Sequence, residues 1–293
     1  LDRSVLPAEN LLLVNTPTRF NSETIKNLAR RLAENLEAPF VELPIDSFIN
    51  ETVSQIDDLQ IPSPSDMKTL HLTGFMKENI QARDRSTRIL ATLSSAFGGI
   101  FTCNANKTEL TVGYGTLYGD LSGALAATAD LWKHQIYALG RTLNRYFDKN
   151  MIPDEIFTVR PSAELSENQD ITKGLGDPLI YEYHDFLFRS FIEPWNRITP
   201  EEILTWYSEN CLEEKLGTPV SIKSIFKTHH DFITDLEKWW NLFAGFAVAK
   251  RIQAPPLLAV SRRPYGYDLR ESQIAPYYTD TYIHLKNSLL SNG

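Results

Sequence analysis

Asn10-Leu11-Leu12-Leu13-Val14-Asn15 is a short apolar run closed by Thr16-Pro17, the pattern of a strand buried on both faces of a parallel sheet. A helix should follow it. Asn21 or Ser22 can cap that helix, and Ile25, Leu28, Ala29, Leu32 and Leu36 recur at helical spacing, with Lys26, Arg30, Arg31 and Glu34 away from the stripe. Phe40-Val41-Glu42-Leu43-Pro44 then reads as a second strand. Strand, helix and strand within about 35 residues make a βαβ unit, whose parallel pairing requires a crossover.

Outward from this unit, the polar, Pro-containing residues Asp57 to Asp66 read as a loop. A long helical pattern runs from about Leu72 to Ala96 and stops at Gly98-Gly99. Ile100-Phe101-Thr102-Cys103 is a third strand candidate, and the segment beyond it contains Gly113, Gly115 and Gly119. Ligands of open α/β sheets bind at that carboxyl edge. Asp130 is expected to cap a helix carrying Trp132, Ile136, Leu139, Leu143 and Phe147. Past residue 150 or so helices dominate. Thr199-Pro200-Glu201-Glu202 is a helix start with a capping box and proline at the first position. A further helix spans Asp231 to about Lys250, with Phe232, Leu236, Trp239, Trp240, Phe243 and Phe246 inward, before Pro255-Pro256 and a Tyr- and Arg-rich tail. Trp195, Trp206, Trp239 and Trp240 are expected mainly in the core.

Composition narrows the function. With 29 Lys and Arg against 37 Asp and Glu the net charge is −8, which argues against a general nucleic-acid binder. No stretch approaches the roughly 18 to 20 apolar residues of a bilayer helix, and the start lacks the pattern of a secretion signal. A cytoplasmic protein is expected. Cys103 and Cys211 are too few for a disulfide framework, and no CxxC or HxxxH spacing offers a zinc site. The six histidines accompany no GxSxG motif, so a hydrolase triad has no support.

Several segments carry candidate chemistry. Asn79 and Arg83 stand four apart on the long helix, so an amide and a guanidinium share one face and can bind a planar ring or a phosphate. From composition alone, a solvated face with Arg83 paired to Glu78 or Asp84 is the reading surface charge runs usually have. Asn104-Ala105-Asn106-Lys107-Thr108-Glu109 gathers polar groups after a strand candidate, and Glu109 can hold Mg²⁺ or act as a capping residue. Tyr114-Gly115-Thr116-Leu117 offers a ring for stacking and a glycine for close backbone approach. Lys133, early in its helix, can reach a phosphate, while Lys250-Arg251 can simply complement a helix C-terminus.

Taken together, Glu78-Asn-Ile-Gln-Ala-Arg83, Asn106-Lys-Thr-Glu109, Gly113-Tyr-Gly-Thr-Leu-Tyr-Gly-Asp120 and Asp130-Leu-Trp-Lys133 resemble, in order and spacing, the synthetase domain of NAD⁺ synthetases. Pro161-Ser-Ala-Glu-Leu165, Gly176-Asp-Pro-Leu179 and Lys250-Arg-Ile-Gln-Ala-Pro-Pro256 extend the resemblance to the glutamine-dependent branch. The resemblance implies an α/β fold of the ATP-pyrophosphatase type (adenine nucleotide alpha hydrolase-like), a parallel sheet flanked by helices with an α-rich C-terminal extension. It divides the chain into a nucleotide-binding core over residues 1–160 and an α-rich extension with a basic tail over 161–293. The implied reaction is ATP- and Mg²⁺-dependent amidation of deamido-NAD⁺ by ammonia, through an adenylated intermediate. Motif by motif, Asn79, Arg83, Glu109, Tyr114, Gly115, Thr116, Leu117 and Lys250 would contact deamido-NAD⁺, and Asn104, Lys133 and Ser162 would contact ATP. Glu109 would also serve Mg²⁺, and no catalytic side chain is implied.

The family's phosphate loop, SGGxDS, is absent from these 293 residues and is expected upstream of Leu1, as is the glutaminase domain that supplies ammonia. The chain is therefore expected to be an inactive fragment of a homodimer or larger homo-oligomer, with neither nucleic-acid nor membrane partners. A GMP-synthetase-like amidotransferase and a non-catalytic nucleotide-binding protein are the alternatives.

Overall fold

Three backbone pairs set the parallel ladder: Leu13 opposite Phe40, Val14 opposite Val41 and Asn15 opposite Glu42, in strands β1 (Leu13–Asn15) and β2 (Phe40–Glu42). The computed structural model describes residues 7–264 and 276–291, so Leu1-Asp-Arg-Ser and residues 265–275 of the Tyr- and Arg-rich tail lie outside the described residues. The connecting helix, Glu23–Leu36, starts where Ser22 accepts the Ile25 N–H and buries Leu28 and Ala33. It ends in a left-handed turn at Glu37. The βαβ expectation therefore holds, and the capping choice falls on Ser22 rather than Asn21, whose side-chain oxygen accepts the Thr18 N–H instead.

The described residues divide into two compact units. The first runs to Phe101 and adds Tyr118–Asp120 and Tyr137–Pro178. It holds β1 and β2, the helix Asp46–Ile56 and an antiparallel hairpin, β3 (Gln60–Pro62) with β4 (Met67–Thr69), where the sequence suggested only a loop. Proline is tolerated at that exposed edge because its missing N–H faces no ladder partner. The long helix is continuous but not uniform. Gly74–Arg83 is α-helical, Asp84–Leu90 widens to a π-helix, and Ala91–Phe97 returns to α before Gly98 ends it at φ +78°.

The second unit comprises Thr102–Leu117, Leu121–Ile136 and the described residues from Leu179 on. Its aromatic core brings Tyr183, Phe188 and Phe191 of the helix Tyr181–Ile192 against Phe232, Trp239 and Phe243 of the helix His229–Ala244. Trp239 and Trp240 are buried as expected, whereas Trp195 is 88% exposed and takes no part in this core. The third strand is reduced to a single parallel bridge, Thr102 to Leu125. Ile100 is exposed and Cys103 is buried, and the chain then turns at once into the Asn106 cap, which leaves no room for a longer ladder. The helix read from Asp231 to Lys250 is two, His229–Ala244 and Ala247–Gln253, broken at Gly245. A Cβ there would lie 2.5 Å from the Asn241 carbonyl oxygen. The break shifts the helical phase and leaves Phe246 exposed. Among the described residues, no helix is long and apolar enough to cross a membrane.

Asp130 is not a cap. The helix begins at Lys133, while the Asp130 carboxylate accepts the backbone N–H groups of Val260 (2.7 Å) and Ser261 (2.6 Å) and the Ser261 hydroxyl. Its Oδ1 also lies 2.9 Å from Nζ of Lys107, and neither side chain has exposed surface. Burial alone would raise the Asp130 pKa, but the Ser261 backbone and hydroxyl, Lys107 and the Val260 N–H outweigh it and hold the carboxyl below the usual aspartate range.

The magnitude separates the two roles. Losing an N-cap costs about 0.5–2 kcal/mol, whereas breaking a buried ion pair by removing one partner costs about 3–5 kcal/mol. Asp130→Ala should therefore lower the unfolding free energy, measured by denaturant titration, by about 3–5 kcal/mol. Because the folded pKa is depressed, the contribution of Asp130 is complete above its unfolded-state pKa and is lost as pH falls through the folded value.

Candidate functional site

Asn106 organises the centre of the second unit. Its side chain accepts the Glu109 N–H at 2.9 Å, and Glu109 Oε2 accepts the Asn106 N–H at 2.9 Å, closing a reciprocal capping box on the helix Lys107–Val112. That box holds the Glu109 carboxylate at the helix start, and Oε1 accepts the Tyr181 hydroxyl at 3.3 Å. Nζ of Lys133 lies 5.1 Å from the centre of the Tyr181 ring. Lys133 and Glu109 therefore meet through one tyrosine. One turn beyond Tyr181 on the helix Tyr181–Ile192, Asp185, with no exposed surface, accepts the Thr108 hydroxyl and, at 2.9 Å, the His134 N–H. The His134 ring nitrogen Nδ1 stands 2.7 Å from Asp185 Oδ2, and since a carboxylate only accepts, Nδ1 carries the proton.

The glycine turn hangs from the C-terminus of the helix Lys107–Val112. Gly113 sits at φ +65°, and a Cβ there would lie 2.9 Å from the Ala247 Cα, so glycine is required. Lys250 donates to the carbonyls of Gly113 (2.6 Å) and Gly115 (2.5 Å), and Arg251, 2% exposed, donates to those of Thr111 (2.6 Å) and Phe243 (2.9 Å). Two cations thus brace a helix C-terminus, where the backbone dipole favours positive charge. Tyr114, Gly115 and Leu117 are half-buried and Thr116 is buried. Asn104 is exposed and accepts the Thr102 hydroxyl at 3.1 Å.

The first unit holds the remaining candidates. Asn79 donates to the Phe75 carbonyl one turn back (2.9 Å), Arg83 is exposed, and Asp84 is taken by Arg88 at 2.5 and 2.7 Å. Gln81 of that helix donates to the Leu165 carbonyl (2.7 Å), which ties it to the Pro161–Leu165 segment. There the Ser162 hydroxyl donates to the Gln169 carbonyl (2.6 Å), and Glu164 accepts the Ser22 N–H (3.3 Å). A separate group, half-buried Asp57 with exposed Asp58 and His71, lies at the hairpin, and Asp57 already pairs with Lys77 at 3.1 Å. Burial slightly opposes ionisation there, but the Leu72 N–H and Lys77 hold the Asp57 carboxyl below its usual range.

Sequence reasoning missed Tyr181, Asp185, His134 and Lys107. Tyr181 and Asp185 stand four apart, the only local sign that both face one way; their partners lie 48 to 77 residues distant in the chain and no spacing announces them.

Residues 1–221 match the family model described as NAD synthase. The chain is 32% identical over 198 residues to a glutamine-dependent NAD(+) synthetase of Thermotoga maritima, covering 68% of this chain and 32% of that protein. It is 31% identical over 212 residues to an NH(3)-dependent NAD(+) synthetase of Helicobacter hepaticus, covering 72% of each. A crystal structure of a glutamine-dependent NAD(+) synthetase from Cytophaga hutchinsonii shares the fold at TM-score 0.64 and 19% identity, over 95% of this chain and 40% of that one. The chain spans about a third of the length of the Thermotoga relative. The α/β expectation thus agrees with a solved fold, and the match over residues 1–221 establishes that the chain belongs to the NAD synthase family.

Proposed function

We propose that the full-length polypeptide amidates deamido-NAD⁺ to NAD⁺ at the expense of ATP, with ammonia as the nitrogen donor. The observation that carries this reading is the pairing of Glu109 and Lys133 across Tyr181, which sets a carboxylate and an ammonium beside one ring in a member of the NAD synthase family. In the glutamine-dependent manner of its relatives, ammonia would be released from glutamine elsewhere in the polypeptide. The same reading makes the enzyme a cytoplasmic homo-oligomer.

A carboxylate resists attack because it is already anionic and has no leaving group. Transfer of AMP from ATP to the carboxylate oxygen of deamido-NAD⁺ forms a C–O–P anhydride and releases pyrophosphate. The ammonia lone pair then attacks the carbonyl carbon, the nitrogen loses a proton, and the C–O bond breaks to release AMP. In this scheme Lys133, with Asn104 and Ser162, binds and orients ATP. Asn79, Arg83, Lys250 and the turn Tyr114 to Leu117 position deamido-NAD⁺. Lys250 acts in part through the backbone, since it fixes the carbonyls of Gly113 and Gly115.

The donor set fits Mg²⁺ shared with a substrate, because that ion usually takes one or two protein carboxylates and fills its other positions with water and phosphate. Of its two expected partners, deamido-NAD⁺ and Mg²⁺, Glu109 would hold the ion, and its capping bond does not forbid this, as a carboxylate offers about four acceptor positions. When bound, the ion would neutralise charge on the phosphates.

The decisive assay supplies the full-length protein with deamido-NAD⁺, ATP, Mg²⁺ and ammonia. One NAD⁺, one AMP and one pyrophosphate per turnover are expected; consumption of xanthylate in place of deamido-NAD⁺ would overturn the assignment. Glu109→Gln keeps a capping side chain, so the melting temperature should hold while the Mg²⁺ concentration for half-maximal rate rises roughly tenfold. Arg83→Ala should raise the KM for deamido-NAD⁺ by about tenfold, since a hydrogen bond to a charged group is worth about 1.5–3 kcal/mol, with the KM for ATP unchanged. Equal loss of both would remove Arg83 from that role.

A further inference from the structure

The helix Tyr181–Ile192 presents two polar side chains four residues apart, and each joins the same two neighbouring segments. On one level, Tyr181 donates to Glu109 (3.3 Å) and lies under the Lys133 ammonium. On the level below, Asp185 accepts from Thr108, the residue before Glu109, and from the backbone and ring of His134, the residue after Lys133. The Thr108 oxygen in turn accepts the Lys133 N–H at 3.4 Å, so the two segments also touch directly. Glu109 and Lys133 are thus spaced by a ladder whose rungs come from a third element.

The chemistry of the lower rung explains why it would be built this way. A carboxylate without exposed surface must find donors for its oxygens, and among the described residues Asp185 draws them from the two segments it joins. Moving either segment would strand a buried charge. The upper rung joins the two segments through one ring, by a hydrogen bond to its hydroxyl and a cation over its face. It sets direction, while Asp185 sets distance.

We infer that Tyr181 and Asp185 are positioning residues for Mg²⁺-bound ATP, holding Glu109 and Lys133 at the separation that this substrate requires. The inference rests on the assignment of those two residues made under the proposed function. Neither Tyr181 nor Asp185 needs to touch the nucleotide, so their loss should weaken its binding without altering that of the second substrate.

Isothermal titration calorimetry on the full-length protein tests this, with Tyr181→Phe, Asp185→Asn and Asp185→Ala each titrated with ATP and Mg²⁺ and, separately, with deamido-NAD⁺. Tyr181→Phe keeps the ring under Lys133 and removes only the hydroxyl. It should weaken ATP binding in Mg²⁺ about fivefold, leave deamido-NAD⁺ within twofold of wild type and leave the melting temperature nearly unchanged. In EDTA the ratio of wild type to Tyr181→Phe should fall towards one; a ratio that persists overturns the rung through Glu109. Asp185→Ala should weaken ATP binding about tenfold and Asp185→Asn, which can still accept from Thr108, should recover part of it. If Asp185→Ala does not fold, Tyr181→Phe and Asp185→Asn decide the matter. ATP affinities within twofold of wild type in both, or an equal loss of deamido-NAD⁺, overturn the inference. A wild type that binds ATP with Mg²⁺ yet forms no NAD⁺ would overturn the proposed reaction alone, and one that binds no ATP would overturn both.

Discussion

Lys107 has no exposed surface, and an ammonium taken wholly out of water must be neutralised where it stands. Asp130 does this at 2.9 Å, with Glu193 at 3.2 Å and the Ser261 hydroxyl at 3.0 Å. Because Lys107 is the first residue of its helix, this cluster pins the helix start, and the capping box of Asn106 and Glu109 can form in only one place. The orientation of Glu109 follows from that, as does the position of Thr108 against Asp185. At the other end of the same six residues, Arg251 and Lys250 hold the carbonyls of Thr111, Gly113 and Gly115. A helix this short gains little from its own hydrogen bonds, since nucleation is costly. Its ends are instead held by charges from elsewhere in the unit.

What the sequence disclosed and what it hid divide along chain separation. The βαβ unit was legible because its strands and its helix each carry their own hydrophobic period, and the Thr199 capping box because all its parts lie within four residues. Asp130 misled for the same reason. An aspartate a few residues before an apolar stripe has the local look of a cap, and the true partners, Val260 and Ser261, are about 130 residues away. Gly245 illustrates a second limit. The apolar spacing of the Trp-rich helix continues through it to Phe246, yet the backbone breaks at Gly245, in a conformation where a Cβ would meet the Asn241 carbonyl oxygen. Periodicity records which side is apolar and carries no notice that the phase has changed.

The candidate site shows the same division at finer grain. Motif spacing nominated Glu109, Lys133 and the Gly113 turn, but left capping and ligand binding as alternatives for Glu109, and helix complement and ligand binding as alternatives for Lys250. Glu109 closes a capping box, as its structural reading required, and Lys250 braces a helix end, although that of Lys107–Val112 rather than of its own helix. These bonds do not compete with the proposed chemistry, because they fix the directions in which the same groups act. A glutamate whose carboxylate already accepts from a backbone N–H and a tyrosine loses less conformational freedom on meeting a cation than an unrestrained one would. In the proposed role, local stability and readiness to bind would at Glu109 both follow from the same two hydrogen bonds.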